Sequence, residues 1–164
     1  MPARRILLYP DPVLKQRSLP VTPGDPAIAA IIDEMLAALE TSPGVALAAP
    51  QIGHLLQIIV VDVARKKGEQ GHGRVLLCNP RIVRTEGQKL IREGCLSVPD
   101  YTGNVLRHEQ AVVEGLTPDG ATVTIAAKGF EALAFQHEVD HLDGRLFLDR
   151  IQSLSTDLFR RKSH

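Results

Sequence analysis

Residues 137–141 read His-Glu-Val-Asp-His. On an α-helix, positions i and i+4 share a face, so His137 and His141 can direct both imidazoles at one metal ion. Glu138, beside the first histidine, can then reach the water that such an ion makes acidic. The pattern points to metal-assisted hydrolysis. Its bland alternative is a solvated helix face on which two of the six histidines happen to sit. Two imidazoles do not complete a catalytic site, which takes three protein ligands and keeps a further position open. Cys95, Cys78 and the carboxylates are the candidates for the third. Cys78 closes the apolar run Val75-Leu76-Leu77-Cys78 and reads as a small buried hydrophobe. Cys95 stands in Glu93-Gly94-Cys95-Leu96-Ser97, where the glycine lets the backbone turn and present the sulfur, although a buried structural cysteine fits the same residues.

A third segment, residues 44–53, is Gly-Val-Ala-Leu-Ala-Ala-Pro-Gln-Ile-Gly. Its small residues either let a ligand backbone come close or simply pack a tight loop. Gln51 carries two N–H donors that an anion could use.

These residues need elements to hold them. The run 130–142 has helical spacing and stops at Gly144, a suitable C-cap, so the His-Glu-x-x-His motif falls on a helix. Asp25 and Pro26 open an earlier helix, whose stripe Ile28, Ile31, Ile32, Met35, Leu36 and Leu39 ends near Thr41. The first 26 residues, with Pro2, Pro10, Pro12, Pro20, Pro23 and Pro26, read as extended chain. Residues 56–63 and 75–78 read as strands, with a polar loop over 64–74 between them. Glu86-Gly87 suggests a hairpin joining 81–85 to 88–92, and Pro118-Asp119-Gly120 another joining 105–116 to 121–127. A short helix is expected over 154–161. Antiparallel strands with helices kept apart from them predict an α+β fold, with antiparallel sheets and hairpins around a central metal-binding helix. At 164 residues without a linker or repeat, residues 1–164 are expected to form one catalytic domain.

Composition narrows the partners. Nineteen basic and nineteen acidic side chains give zero formal charge, with no block of either sign to advertise nucleic acid or an anionic membrane. No stretch approaches the ~20 apolar residues of a membrane span. The apolar run after Arg4-Arg5 is four residues long and closed by Pro10 and Pro12, which does not suit a signal peptide. Two cysteines make no disulfide framework, and a reducing cytoplasm is the expected compartment.

Taken together, the glycine-started loop 44–51 ending Ala-Ala-x-Gln, the segment Glu93-Gly94-Cys95-Leu96-Ser97 and the segment Gln136-His137-Glu138-x-Asp140-His141-Leu142-x-Gly144 resemble the signature set of peptide deformylases, in the family's order. The resemblance extends from Tyr9-Pro10-Asp11-Pro12-Val13-Leu14 to Phe147. It implies that Cys95, His137 and His141 ligate one divalent metal, Fe2+ first, with Zn2+ or Ni2+ able to substitute. It implies that Glu138 is the general acid/base, and that Gln51 and the backbone N–H of Leu96 meet the developing oxyanion. Gly44, Val45 and Ala46 would line the substrate cleft. The implied reaction removes the N-terminal formyl group from the formyl-methionine of newly made proteins and releases formate. The implied partners are N-formylmethionyl nascent chains, with the ribosome as a candidate.

The family's loop usually carries glycine where this chain has Ala46, so the added methyl is expected to restrict the backbone or crowd a substrate. Arg107 is a candidate partner for Glu93, or else a free surface arginine. Asp140 either orients a ligand histidine or forms a structural ion pair, and Gln136 either braces the region around Cys95 or packs. Two rival readings remain. A zinc endopeptidase would use histidine or glutamate as third ligand, against Cys95. A closed structural site would need a fourth protein ligand, for which Asp140 or His108 could be proposed.

Overall fold

The computed structural model describes residues 4–161, so Pro2 of the expected extended N-terminal segment lies outside the described residues; within that segment Pro12–Lys15 forms a 3-10 turn, because Asp11 caps it by accepting from the Val13 N–H at 3.0 Å. Helix α1 spans Pro26–Glu40, with Asp25 accepting from the Ala27 N–H at 2.9 Å as N-cap and Pro26 in the first turn. Strands β1 (Ala46–Ala48) and β2 (Ile58–Val61) follow, separated by a 3-10 turn at Ala49–Ile52. Then come β3 (Val75–Glu86), β4 (Lys89–Cys95), β5 (Val98–Arg107), β6 (Gln110–Leu116) and β7 (Thr122–Lys128). Helix α2 (Gly129–Leu142) carries the paired histidines. A one-turn α3 (Leu154–Asp157) and a short β8 (Leu158–Arg160) end the described chain.

The strands form a five-stranded sheet in the order β1-β2-β3-β6-β7 and a three-stranded sheet in the order β4-β5-β8, with all neighbours antiparallel. This is the expected α+β architecture with α2 at its centre.

The strand pairing differs from expectation in an instructive way. Residues 81–85 and 88–92 do not pair with each other. Instead β3 pairs with β6, and β4 with β5. The partners Arg92↔Asn104, Lys89↔Arg107 and Glu86↔Gln110 hold one register across both sheets. The chain from β3 to β6 is therefore a single long hairpin whose tip is Leu96-Ser97, between the paired Cys95 and Val98. Glu86-Gly87 marks a bend, at which the hairpin passes from one sheet into the other. The bend also interrupts the expected strand 105–116 at His108-Glu109. Gln136 of α2 fixes it there, accepting from the His108 N–H at 3.0 Å and donating to the His108 carbonyl at 2.9 Å. The strand expected over 75–78 runs on to Glu86, through an irregularity after Cys78 where Asn79 takes φ +50°. The expected tail helix shortens to one turn, because residues 158–160 pair with β5.

Alternation in β2 explains how the five-stranded sheet is covered on both faces. Ile59 and Val61 join Ala46, Ala48, Leu77, Val113 and, from α2, Ala132 and Phe135. Ile58 and Val60 join Leu47, Cys78 and the α1 residues Ile32, Met35 and Leu39. Cys78 thus lies on the α1 face as a fully buried apolar side chain, as expected, and burial pushes its thiol pKa up. A third cluster, with Leu14, Val98, Val105, Leu146 and Phe147, packs the smaller sheet and includes Cys95. Helix α2 ends as expected at Gly144, whose φ of +74° and close approach to the Lys15 backbone leave no room for a side chain. The hairpin tip, the α2 motif and the 3-10 turn after β1 converge between these clusters.

Candidate metal centre

Helix α2 places His137 and His141 one turn apart with their Nε2 atoms 3.2 Å from each other. Cys95 Sγ, at the end of β4, lies 3.4 Å from His141 Nε2. All three donor atoms lie within 4.8 Å of one another. A tetrahedral ion with nitrogen ligands at about 2.0–2.1 Å and sulfur at about 2.3 Å separates neighbouring donors by roughly 3.3–3.6 Å. The His137–His141 and Cys95–His141 spacings lie close to this, and the donor set of two imidazoles and one sulfur suits zinc or iron rather than magnesium or calcium. Among the described residues, no other group of three histidine, cysteine or acidic side chains comes together in this way.

Of the two imidazoles, His137 is held from behind, whereas His141 Nδ1 is buried without a hydrogen-bond partner in the protein. His137 Nδ1 bonds a Glu93 carboxylate oxygen, which fixes the ring tautomer and leaves Nε2 toward the sulfur. Arg107, 3% exposed, grips Glu93 through Nε at 2.8 Å and Nη2 at 2.6 Å, and reaches Asp140 through Nη1 at 2.7 Å. Arg150 closes the far end on Asp140 at 2.5 and 2.7 Å. Arg107 is therefore the partner of Glu93 rather than a free surface arginine. Asp140 sits in an ion pair with two arginines, and Glu93 is the carboxylate that orients His137. Burial by itself would raise the Glu93 pKa, but the His137 ring and Arg107 hold it down to about 2. Burial and the adjoining His137 keep His141 well below the usual imidazole range, so its Nε2 lone pair is free to ligate. At His137 burial opposes charge, and the negative charges of Cys95 and Glu93 win, raising its pKa. The same two charges would hold a cation.

Glu138 is 3% exposed, and one oxygen stands 3.9 Å from His137 Nε2. Its Oε1 is buried without a hydrogen-bond partner in the protein, an arrangement costly enough to need a functional explanation. Burial, opposed by His137, pushes the Glu138 pKa up to about 7, which suits a group that takes and returns protons near neutrality.

Gln51 occupies the 3-10 turn after β1 and is 1% exposed. Its Oε1 accepts from the Ala48 N–H at 2.9 Å, which sets the amide's orientation and turns Nε2 toward Ser97 Oγ at 3.1 Å and Cys95 Sγ at 3.8 Å. Leu96 is at the hairpin tip beside the sulfur. The Gly44 segment abuts it: a Cβ on Gly44 would come 2.7 Å from Leu96 Cδ1. Strand β1 is the edge of its sheet. The Asp62 N–H donates to the Val45 carbonyl at 2.7 Å, so strand alternation turns the Ala46 polar groups away from β2, to the open side. Ala46 does not have a positive φ, and its methyl is buried with the cluster under α2. The expected restriction of the backbone is absent, because the position is plain extended strand.

Some functional contacts were not expected. Ser97 is fully buried and positions Gln51, though its place in the Glu-Gly-Cys-Leu-Ser segment was a signal. Arg150 has no local signal at all. Gln136 braces the hairpin bend, not the region around Cys95. His108 binds the Gly87 carbonyl at 2.9 Å and Asp140 is consumed by arginines, so neither supplies the fourth ligand a closed site would need.

Fold and candidate site together fit a metal-dependent hydrolase, with a His-Glu-x-x-His helix and a cysteine able to serve as third donor. A profile described as polypeptide deformylase matches residues 3–157. A peptide deformylase of Syntrophobacter fumaroxidans is 46% identical over 96% of this chain and 91% of its own. One from Halothermothrix orenii is 43% identical over 96% and 99%. The crystal structure of a peptide deformylase from Legionella pneumophila superimposes with a TM-score of 0.85 at 38% identity, covering 93% of this chain and 88% of that one. A Met-Ala-Ser-bound peptide deformylase from Acinetobacter baumannii does so with a TM-score of 0.85 at 33% identity, covering 92% and 100%. The chain belongs to the polypeptide deformylase family, and its reaction is N-terminal deformylation.

Proposed function

We propose that Cys95, His137 and His141 hold one Fe2+ in the cell and that Glu138 moves the protons of the reaction, with N-formylmethionyl nascent chains as substrates. The observation that carries this is the buried Glu138 carboxyl, with Oε1 unpartnered, beside three donors at metal-ligand spacing. Held by these three residues, the ion would supply the Lewis acidity that makes water nucleophilic near neutrality. Glu138 accepts the proton of the attacking water. As negative charge gathers on the formyl oxygen, the Gln51 Nε2–H, already aimed into the site by Ala48 and Ser97, and the Leu96 N–H donate to it. Glu138 then returns its proton to the departing amine, leaving formate and a free N-terminus.

The substrate's main chain adds to the open side of β1, along Gly44, Val45 and Ala46. Gln51, reached through the Ala48 N–H on that same side, stands at the reacting end. The domain acts as one unit over residues 1–164 and works in the cytoplasm, where nascent chains and reduced thiols coexist. No helix among the described residues is long and apolar enough to cross a membrane. The ribosome, as the source of the substrate, is the proposed larger partner.

The test is metal content and turnover measured side by side on protein purified without oxygen. Glu138→Gln should keep one metal per chain and lose at least about a hundredfold in kcat. Cys95→Ser and His141→Ala should lose metal and turnover together. A Glu138→Gln protein with near-normal turnover would remove Glu138 from the reaction. Zinc in place of iron in the wild type would correct the metal alone.

A further inference from the structure

Arg65 lies in the 3-10 turn Val63–Arg65 that follows β2, outside the metal centre and outside the three segments that carry the family resemblance. Its guanidinium makes three hydrogen bonds, all to main-chain carbonyls across the loop between α1 and β1. Nε donates to Gly44 O at 2.9 Å, and Nη2 donates to Leu39 O and Ser42 O, each at 3.0 Å. Leu39 O also accepts from Ser42 Oγ at 2.8 Å, and the same Oγ accepts from the Gly44 N–H at 3.1 Å. Gly44 is thus tied at both its N–H and its carbonyl. One residue on, the Val45 carbonyl is tied to the Asp62 N–H. The short segment 62–65 therefore grips the start of β1 twice, once through backbone and once through the Arg65 fork.

That grip matters because β1 is only three residues long and pairs on one side alone. A lone glycine at its entry would let the strand start swing, since glycine restricts its own backbone least. A side chain at Gly44 would push against Leu96, since a Cβ there would come 2.7 Å from Leu96 Cδ1. A planar, permanently charged fork that holds three carbonyls in fixed relation solves this, and a lysine could satisfy only part of it.

We propose that Arg65 is a positioning residue for substrate: it holds the open side of β1 in the extended form that a peptide main chain can pair with. The inference rests on the reading that substrate adds along β1. Arg65 touches neither the metal donors nor Glu138, so its effect falls on binding of the chain beyond the first residue and spares the chemical step.

Three substrates separate the possibilities: formyl-Met-Ala-Ser, the same peptide N-methylated at alanine, and formyl-Met alone. They are compared on the metal-loaded wild type, Arg65→Ala and Arg65→Lys. Amide hydrogen exchange over residues 43–48 is followed in parallel, in the absence of substrate. For Arg65→Ala the expected result is a KM for the tripeptide raised about tenfold with kcat within about twofold, an unchanged kcat/KM for formyl-Met, and faster exchange over 43–48. Arg65→Lys should fall between. Equal loss on the tripeptide and formyl-Met, with a lowered Tm, would make Arg65 merely structural and overturn the proposal, as would unaltered kinetics and exchange. If the wild type handles the N-methylated peptide as well as its parent, substrate does not pair along β1, and that reading falls together with the proposal.

Discussion

Replacing Arg107 by leucine removes the side chain that two buried carboxylates share. Its guanidinium makes three hydrogen bonds of 2.6–2.8 Å to Glu93 and Asp140. At an effective dielectric of ~20 each contact is worth on the order of 4 kcal/mol of attraction, set against several kcal/mol for desolvating each ion. Removing one partner of a buried pair typically costs about 3–5 kcal/mol, because the remaining charge stays buried. Arg150 still neutralises Asp140, so the penalty concentrates on Glu93, which keeps only His137. We expect Arg107→Leu to lose about 3 kcal/mol in urea unfolding monitored on the metal-free protein. We also expect metal affinity to fall about 10- to 100-fold, since the carboxylate that orients His137 loses its anchor. Glu93→Gln combined with Arg107→Leu should recover part of the stability, because no charge is then left unpaired. A single Arg107→Leu variant within about 0.5 kcal/mol of wild type, with unchanged metal affinity, would refute the claim that this chain of charges holds the centre.

Three further expectations follow from particular contacts. Gly44→Ala forces a methyl against Leu96 at the hairpin tip and should lower kcat/KM at least about tenfold with little change in Tm, read by formate release. Glu131 is buried and accepts from the His72 N–H at 2.7 Å and bonds its ring at 2.6 Å, so Glu131→Ala should free the 64–74 loop and cost about 1–3 kcal/mol, read by urea unfolding and by proteolysis within the loop. For Asp149, burial would raise the pKa, but the Leu146 N–H and Lys15 hold it below the usual carboxylate value. A depressed folded-state pKa gives stability that is present above the unfolded value and lost as pH falls through the folded one. The Tm advantage of wild type over Asp149→Asn should therefore hold at neutrality and begin to fade only below about pH 4, whereas an advantage that grew in acid would reverse the assignment.

Much of the site was legible because its logic is local. A helix brings i and i+4 together wherever it lies, and Gly144 ends it for a steric reason the sequence already contains. Cys95 as the candidate third donor needed the resemblance, since its residues alone allowed a buried structural role. The pairing of strands was less accessible. Gly87 does take a positive φ, but it bends a long hairpin instead of closing a short one, and only the distant contact from Gln136 to His108 shows this. Strand β1 is Ala-Leu-Ala, with no strand-forming residue to announce it, and exists because β2 offers it an edge. Arg150 and Arg65 act across more than nine and twenty residues respectively, through side-chain reach that leaves no period or motif in the chain.

Cys95, His137, His141 and Glu138 are proposed to act together as one deformylating metal centre. The most direct measurement is formate release from formyl-Met-Ala-Ser by protein purified without oxygen and loaded with Fe2+, alongside Glu138→Ala carrying the same metal. Rapid formate release by the wild type, abolished in Glu138→Ala, is the predicted result. Folded wild-type protein with one metal bound and no formate released would contradict it.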